Sequence, residues 1–101
     1  MVAPLYSIVW TKNAQSQLHN YYTYIFRDSE HNARKVVREI VESLEKARSN
    51  PEFYPPDKDK TNNDGSYRSF EKYSCRISYR ITEKEIVVLR ARHVKRKPRE
   101  Y

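Results

Sequence analysis

The first patterned segment, Leu5 to Trp10 (Leu-Tyr-Ser-Ile-Val-Trp), is rich in β-branched and aromatic residues and predicts a strand beginning just after Pro4. Thr11 has the character of a helix N-cap. Behind it Ala14, Leu18, Tyr21 or Tyr22, and Ile25 recur at steps of three and four, one apolar face of a helix over residues 12–27. Asp28-Ser29 is a stop-and-start signal. Ala33, Val36, Val37, Ile40, Val41, Leu44 and Ala47 then draw a stripe of helical period on a second helix, which Asn50-Pro51 ends. Arg38, Glu42 and Lys46 lie four apart on its flank, where each opposite-charge pair adds roughly 0.2 to 0.5 kcal/mol.

From Pro51 to Asp64 there are three prolines and no apolar period, and the polar run Asp57 to Asp64 leads to Gly65, the only glycine. This predicts a loop of about 14 residues, a length that in compact domains goes with function or mobility. Phe53, Tyr54 and the prolines pin its first half, which leaves Asp57, Lys58, Asp59 and Lys60 near whatever the sheet presents. Three strands follow, over Tyr67–Lys72, Cys75–Ile81 and Ile86–Arg92. The middle one alternates, with Cys75, Ile77, Tyr79 and Ile81 on one face and Arg76, Ser78 and Arg80 on the other. Short links at Tyr73-Ser74 and Thr82 to Glu85 predict an antiparallel meander. In the last strand Ile86, Val88, Arg90 and Arg92 share one parity and Val87, Leu89, Ala91 and His93 the other, and parity alone leaves open which set faces the helices. The order strand, helix, helix, strand, strand, strand predicts a single α+β domain over residues 1–101, a mainly antiparallel sheet packed against a helical pair. The second sheet face is left for function.

Composition narrows the class. The chain is 38% hydrophobic and 33% charged, with 13% aromatic residues, enough for a small core. Its longest apolar run, Ile86 to Leu89, is far short of the ~20 residues a membrane helix needs, and the N-terminus lacks a signal-peptide plan, so a soluble, cytoplasmic protein without membrane contact is expected. A single cysteine, Cys75, excludes an internal disulfide, and no Cys/His cluster has zinc-ligand spacing. Residues 1–65 hold nine Lys/Arg and nine Asp/Glu, so the whole net charge of +7 lies in residues 66–101, where eleven Lys/Arg meet four Asp/Glu. Such a field attracts nucleic acid, an acidic protein or an anionic membrane surface, though it also describes a solvated basic tail.

No GxGxxG, GxxxxGK[ST], HExxH or GxSxG motif is present, which disfavours nucleotide-dependent and zinc-hydrolase chemistry, and no metal or cofactor is expected. What remains is Arg76, Arg80, Arg90, Arg92, His93, Lys95, Arg96, Lys97, Arg99 and Tyr101, with Lys58 and Lys60 from the loop. This set suits a metal-independent reaction, attack of an RNA 2′-hydroxyl on the adjacent phosphate, which needs a base, cations for the phosphorane and an acid for the leaving oxygen. His93 exchanges protons readily near neutral pH, and Arg76 can grip a phosphate bidentately. Lys58, Lys60 or Tyr101 could complete proton transfer, and Arg80, Arg90, Arg92, Lys95 and Arg96 could hold the nucleic acid. The plainer alternatives are that Arg76 and Arg80 form a solvated strand face and His93 is structural. Tyr79 and Cys75 read as core; His19 and His31 read as surface.

Tyr67-Arg68-Ser-Phe70, Tyr73-Ser-Cys-Arg76-Ile77-Ser-Tyr79-Arg-Ile81 and Ile86-Val-Val-Leu89-Arg-Ala-Arg92-His93, followed by Arg96-Lys-Pro98, resemble the RelE/ParE toxins of bacterial type II toxin–antitoxin, or plasmid stabilisation, modules. The resemblance spans nearly the whole chain and implies that family's fold. It also implies one of two activities, messenger RNA cleavage being placed ahead of gyrase inhibition: RelE-like members are endoribonucleases that cut messenger RNA on the ribosome, whereas ParE-like members inhibit DNA gyrase and are not nucleases. A non-enzymatic nucleic-acid-binding module is the alternative outside this family. On the RelE side it makes Arg76 the phosphate-binding strand arginine, sets His93 near a late-strand catalytic position, and matches Lys58 and Lys60 to loop lysines and Tyr101 loosely to a terminal tyrosine. The tail from Val94 to Tyr101 resembles ParE-type relatives. The resemblance further implies a small acidic antitoxin as partner.

Overall fold

The computed structural model describes residues 5–95 and 100–101. Strand β1 (Ser7–Trp10) runs into helix α1 (Lys12–Phe26) and helix α2 (Glu30–Ser49), and the meander β2 (Tyr67–Lys72), β3 (Cys75–Ile81) and β4 (Glu85–His93) completes the chain. Both helices start where the sequence supplies a cap. The Thr11 side chain accepts from the Ala14 N–H, and that of Ser29 from the Asn32 N–H, each at 3.1 Å, satisfying amides that have no partner inside the helix.

The sheet order is β1-β4-β3-β2. The two meander pairings are antiparallel as expected, while β1 lies parallel to β4, Ile8 opposite Ile86 and Trp10 opposite Val88, so the sheet is mixed. The two helices provide the crossover that a parallel neighbour requires. Core residues come from one side of each element: Val36, Ile40, Leu44 and Ala47 of α2 meet Ile77, Tyr79, Ile86 and Val88 of the sheet. Ile40 and Ile77 are fully enclosed, and burial of each such side chain contributes roughly 1.5–3 kcal/mol. Tyr79 and Cys75 are core residues and His19 and His31 are exposed, each as expected.

The last strand settles its own parity by breaking it. Tyr79 pairs with Val88 but Ser78 pairs with Arg90, so Leu89 is an extra residue and the register shifts there. Before the bulge Ile86 and Val88 face the helices; after it Ala91 and His93 do, opposite Ile77 and Cys75. Arg90 and Arg92 are thereby turned to the opposite face beside Ser78 and Arg76. Helix α1 and its N-cap take up backbone groups around the bulge: the cap's Thr11 N–H donates to the Val88 carbonyl at 3.1 Å, and Gln17 Oε1 accepts from the Ala91 N–H at 2.8 Å.

The long connection after α2 is tied down along its length. Tyr79 Oη donates to the Pro51 carbonyl at 2.7 Å and Tyr54 Oη to the Ser43 carbonyl at 2.8 Å. Pro56 bridges to Arg68, and the Asp57 N–H donates to the Tyr67 carbonyl at 2.8 Å, so the loop continues the sheet beyond β2. Asn63 closes the turn, its Oδ1 accepting from the N–H groups of Gly65 and Tyr67. Gly65 sits at φ +98°, where a side chain is strained.

Candidate functional site

The face of the sheet away from the helices presents Tyr67, Ser69 and Glu71 from β2, Arg76, Ser78 and Arg80 from β3, and Arg90 and Arg92 from β4. The guanidinium-bearing residues Arg76, Arg80, Arg90 and Arg92 thus share one face. The loop folds two acids onto it. Asp57 and Asp59 are almost wholly buried there, and Arg76, its side chain only 11% exposed, lies between Asp57 and the strand acid: Nη2 donates to Glu71 Oε1 at 2.6 Å, Nη1 donates to Ser69 Oγ at 3.3 Å, and Nη1 stands 4.0 Å from Asp57 Oδ1. Arg92 Nη2 is 3.5 Å from Asp59 Oδ2. Asp57 Oδ1 also accepts from the Asp59 N–H at 3.0 Å. Two of the expected phosphate-binding arginines are therefore held by internal carboxylates, an arrangement that orients them and offsets their charge.

Tyr101 closes the face. Its hydroxyl donates to Asp57 Oδ2 at 2.6 Å, its N–H donates to the Asp59 carbonyl at 3.0 Å, and its own carbonyl accepts from the Thr61 N–H and hydroxyl at 2.6 and 2.9 Å. The ring meets Tyr67 edge-on with centroids 5.9 Å apart, and the Arg90 guanidinium and the Lys60 ammonium lie 4.6 and 5.4 Å from its centroid. Lys60 and Arg80 also lie over Tyr67, at 4.7 and 5.3 Å. Burial first, and then the hydrogen bond and charge of Asp57, push the Tyr101 phenol well above its ordinary range. At neutral pH it is a proton donor, unsuited to act as a base.

His93 is elsewhere. Facing the helices opposite Cys75, its ring stands 5.5 Å from that of Tyr21 and 5.6 Å from that of Tyr24, in a cleft of about 190 Å³ lined also by Gln17, Asn20, Ala91 and Arg92. Its Nδ1 accepts from the Lys95 N–H at 3.2 Å. The structure thus gathers Arg76, Arg80, Arg90, Arg92, Lys60 and Tyr101 on one face and sets His93 on the other. Lys58 and Lys95 are exposed, and Arg96 lies outside the described residues. Among the described residues no group of three or more His, Cys, Asp or Glu is placed to hold a metal ion. Two participants escaped the sequence reading. Glu71 is the direct cross-strand partner of Arg76, and Tyr67 shares its parity; the alternation of β2 carried that signal.

A mixed four-stranded sheet with a helical hairpin on one face and a cationic, aromatic patch on the other defines a small α+β domain. Over residues 8–98 the chain matches the family described as ParE toxin of type II toxin-antitoxin system, parDE, and it belongs to that family. It is a RelE/ParE superfamily toxin of a type II toxin–antitoxin system. A solved chain from the chromosomal ParDE TA system of P. aeruginosa is 24% identical, covers 89% of this chain and 97% of its own length, and superposes with a TM-score of 0.68, a likeness of fold. A comparison with curated proteins finds no match. Among the described residues no helix is long and apolar enough to cross a membrane.

Proposed function

We propose that this toxin acts in the cytoplasm as a non-nuclease inhibitor of DNA gyrase and is neutralised by a small acidic antitoxin encoded with it. The observation that carries this reading is the separation of His93 from Arg76 across the sheet. Cleavage by a 2′-hydroxyl needs a proton acceptor and a stabilising cation at one phosphate. Here the histidine is behind the sheet, the arginine is held by Glu71 and Asp57, and the Tyr101 phenol retains its proton. Membership of the ParE family supports the same reading. The excess positive charge of the last third suits an acidic antitoxin segment, through association rate and specificity.

A second reading, ribosome-dependent messenger RNA cleavage, draws support from the gathering of Lys60, Arg80, Arg90 and Tyr101 on one face. In it Arg76 would stabilise the phosphorane, Lys58, Lys60, His93 and Tyr101 would divide the proton transfers, and Arg80, Arg90, Arg92, Lys95 and Arg96 would hold the message. Neither chemistry calls for a metal or cofactor. Supercoiling of relaxed plasmid by purified gyrase, run beside primer-extension mapping of message ends after induction, separates the two. Dose-dependent loss of supercoiling with intact messages is the expected result. Unimpaired supercoiling with new, defined message ends overturns it in favour of cleavage.

A further inference from the structure

The connection between α2 and β2 is held in two different ways along its length. Its first half is anchored by rings: Tyr54 stacks on Phe70 with centroids 4.4 Å apart and meets Tyr79 edge-on at 6.5 Å, while the Tyr79 hydroxyl donates to the Pro51 carbonyl. Its second half, residues 57–63, gives no side chain to the apolar core, and its attachments are polar. Asp57 and Asn63 reach the Tyr67 carbonyl, and the alternate positions 57, 59 and 61 reach residue 101. There the Tyr101 N–H donates to the Asp59 carbonyl, the Tyr101 carbonyl accepts from the Thr61 N–H and hydroxyl, and the phenol donates to Asp57. A segment held by hydrogen bonds in place of apolar contacts lies at the low end of the range of local stability.

We propose that residues 57–63 and Tyr101 form a strap that opens as one unit while the helices and the sheet stay folded, with Tyr101 as its catch. Closed, the strap sets Asp57 beside Arg76 and Asp59 beside Arg92, and internal carboxylates offset the charge of both guanidinium groups. Opening withdraws the two carboxylates together. The charge of this face therefore has two settings, governed by a contact that spans 44 positions of sequence. Arg76 keeps Glu71 in both, because that acid belongs to β2 and lies outside the strap. The proposal goes beyond the gyrase reading and does not depend on it, since it is tested on the toxin alone.

Amide hydrogen exchange of the full chain, followed by NMR over a series of urea concentrations below the unfolding midpoint, tests it, because the amides of the strap have different acceptors. The Thr61 N–H is bonded to Tyr101, whereas the Asp57 N–H is bonded to the Tyr67 carbonyl and the Lys60 N–H to the Asp57 carbonyl. In the native chain these three amides are expected to share one protection factor and one shallow dependence on urea. They should exchange at least about tenfold faster, relative to their intrinsic rates, than the amide of the fully enclosed Ile40, which needs global unfolding. In Tyr101→Ala all three should accelerate by one common factor. Acceleration of Thr61 alone, or of none of the three, overturns the proposal, since residue 101 then holds a single bond and not a unit. Equal protection and an equal urea slope for the three amides and for Ile40 also overturn it, because the segment then opens only when the whole chain unfolds. Should Tyr101→Ala not fold, the urea series on the native chain decides by itself.

Discussion

The hydroxyl of Tyr101 donates to Asp57 Oδ2 at 2.6 Å across 44 positions of sequence, and Asp57 is buried. A buried carboxylate oxygen deprived of its donor costs about 1–3 kcal/mol. Tyr101→Phe keeps the ring and removes the donor, so the midpoint of thermal unfolding should fall by roughly 4–8 °C for each kcal/mol lost. Calorimetry of the two chains checks it, and an unchanged midpoint would mean that water replaces the hydroxyl.

Arg76 has two acidic neighbours with different stakes. Glu71 is half exposed, whereas the Asp57 side chain has no exposure at all. Arg76→Ala should therefore destabilise by about 3 kcal/mol, because it strands a buried charge. Asp57→Asn combined with Arg76→Met should cost less than the two changes summed, with a coupling of about 0.5–3 kcal/mol in a double-mutant cycle. Strict additivity would show that Arg76 answers to Glu71 alone.

Alkaline lability follows from burial. Desolvation raises the phenols of Tyr21, Tyr54, Tyr79 and Tyr101 above their ordinary 10.0 and pushes the Cys75 thiol up from 9.0 to about 12. Above those ordinary values the unfolded chain gives up protons that the native chain keeps, so stability falls as pH rises. Urea unfolding at a series of pH values should show a plateau up to pH 9 and a decline from there, first through Cys75 and then, above pH 10, through the tyrosines. Cys75→Ala should delay the onset toward pH 10. The native thiol should also resist alkylating reagents at pH 8 until the chain is unfolded, since the thiolate is the nucleophile.

Gly65 is required by its backbone and not by crowding. A Cβ there would meet nothing closer than Arg68 Nη2 at 4.0 Å, yet φ is +98°. Gly65→Ala should lower stability by about 1–2 kcal/mol, and Gly65→Asn by less, because asparagine tolerates positive φ better. The urea midpoint should move while the slope stays constant.

His93 tests the functional reading. If the toxin acts without proton transfer, His93→Gln should keep inhibition of gyrase supercoiling within a few-fold, while stability drops by about 0.5–1.5 kcal/mol through weakened contact with Tyr21 and Tyr24. Loss of inhibition with unchanged stability would give His93 a direct role.

Most of the elements were legible along the chain because each rests on local periodicity and caps. The α2 stripe, the Thr11 and Ser29 caps, and the alternation of β3 are properties of neighbouring residues, and they predict the observed elements to within a residue or two at most boundaries. The grouping of positive charge in the last third was equally readable. What the site looks like was decided by contacts between distant segments. The extra residue Leu89 swaps the faces of β4, sending His93 behind the sheet and Arg90 and Arg92 in front of it, and a bulge is set by pairing with β3 that no single strand encodes. The return of Asp57, Asp59 and Tyr101 onto the arginines is likewise a matter of closure between residues 19 to 44 apart, where desolvated charge must find a partner. Local patterning determined the strands and helices; electrostatic and register matching in three dimensions determined which side chains meet.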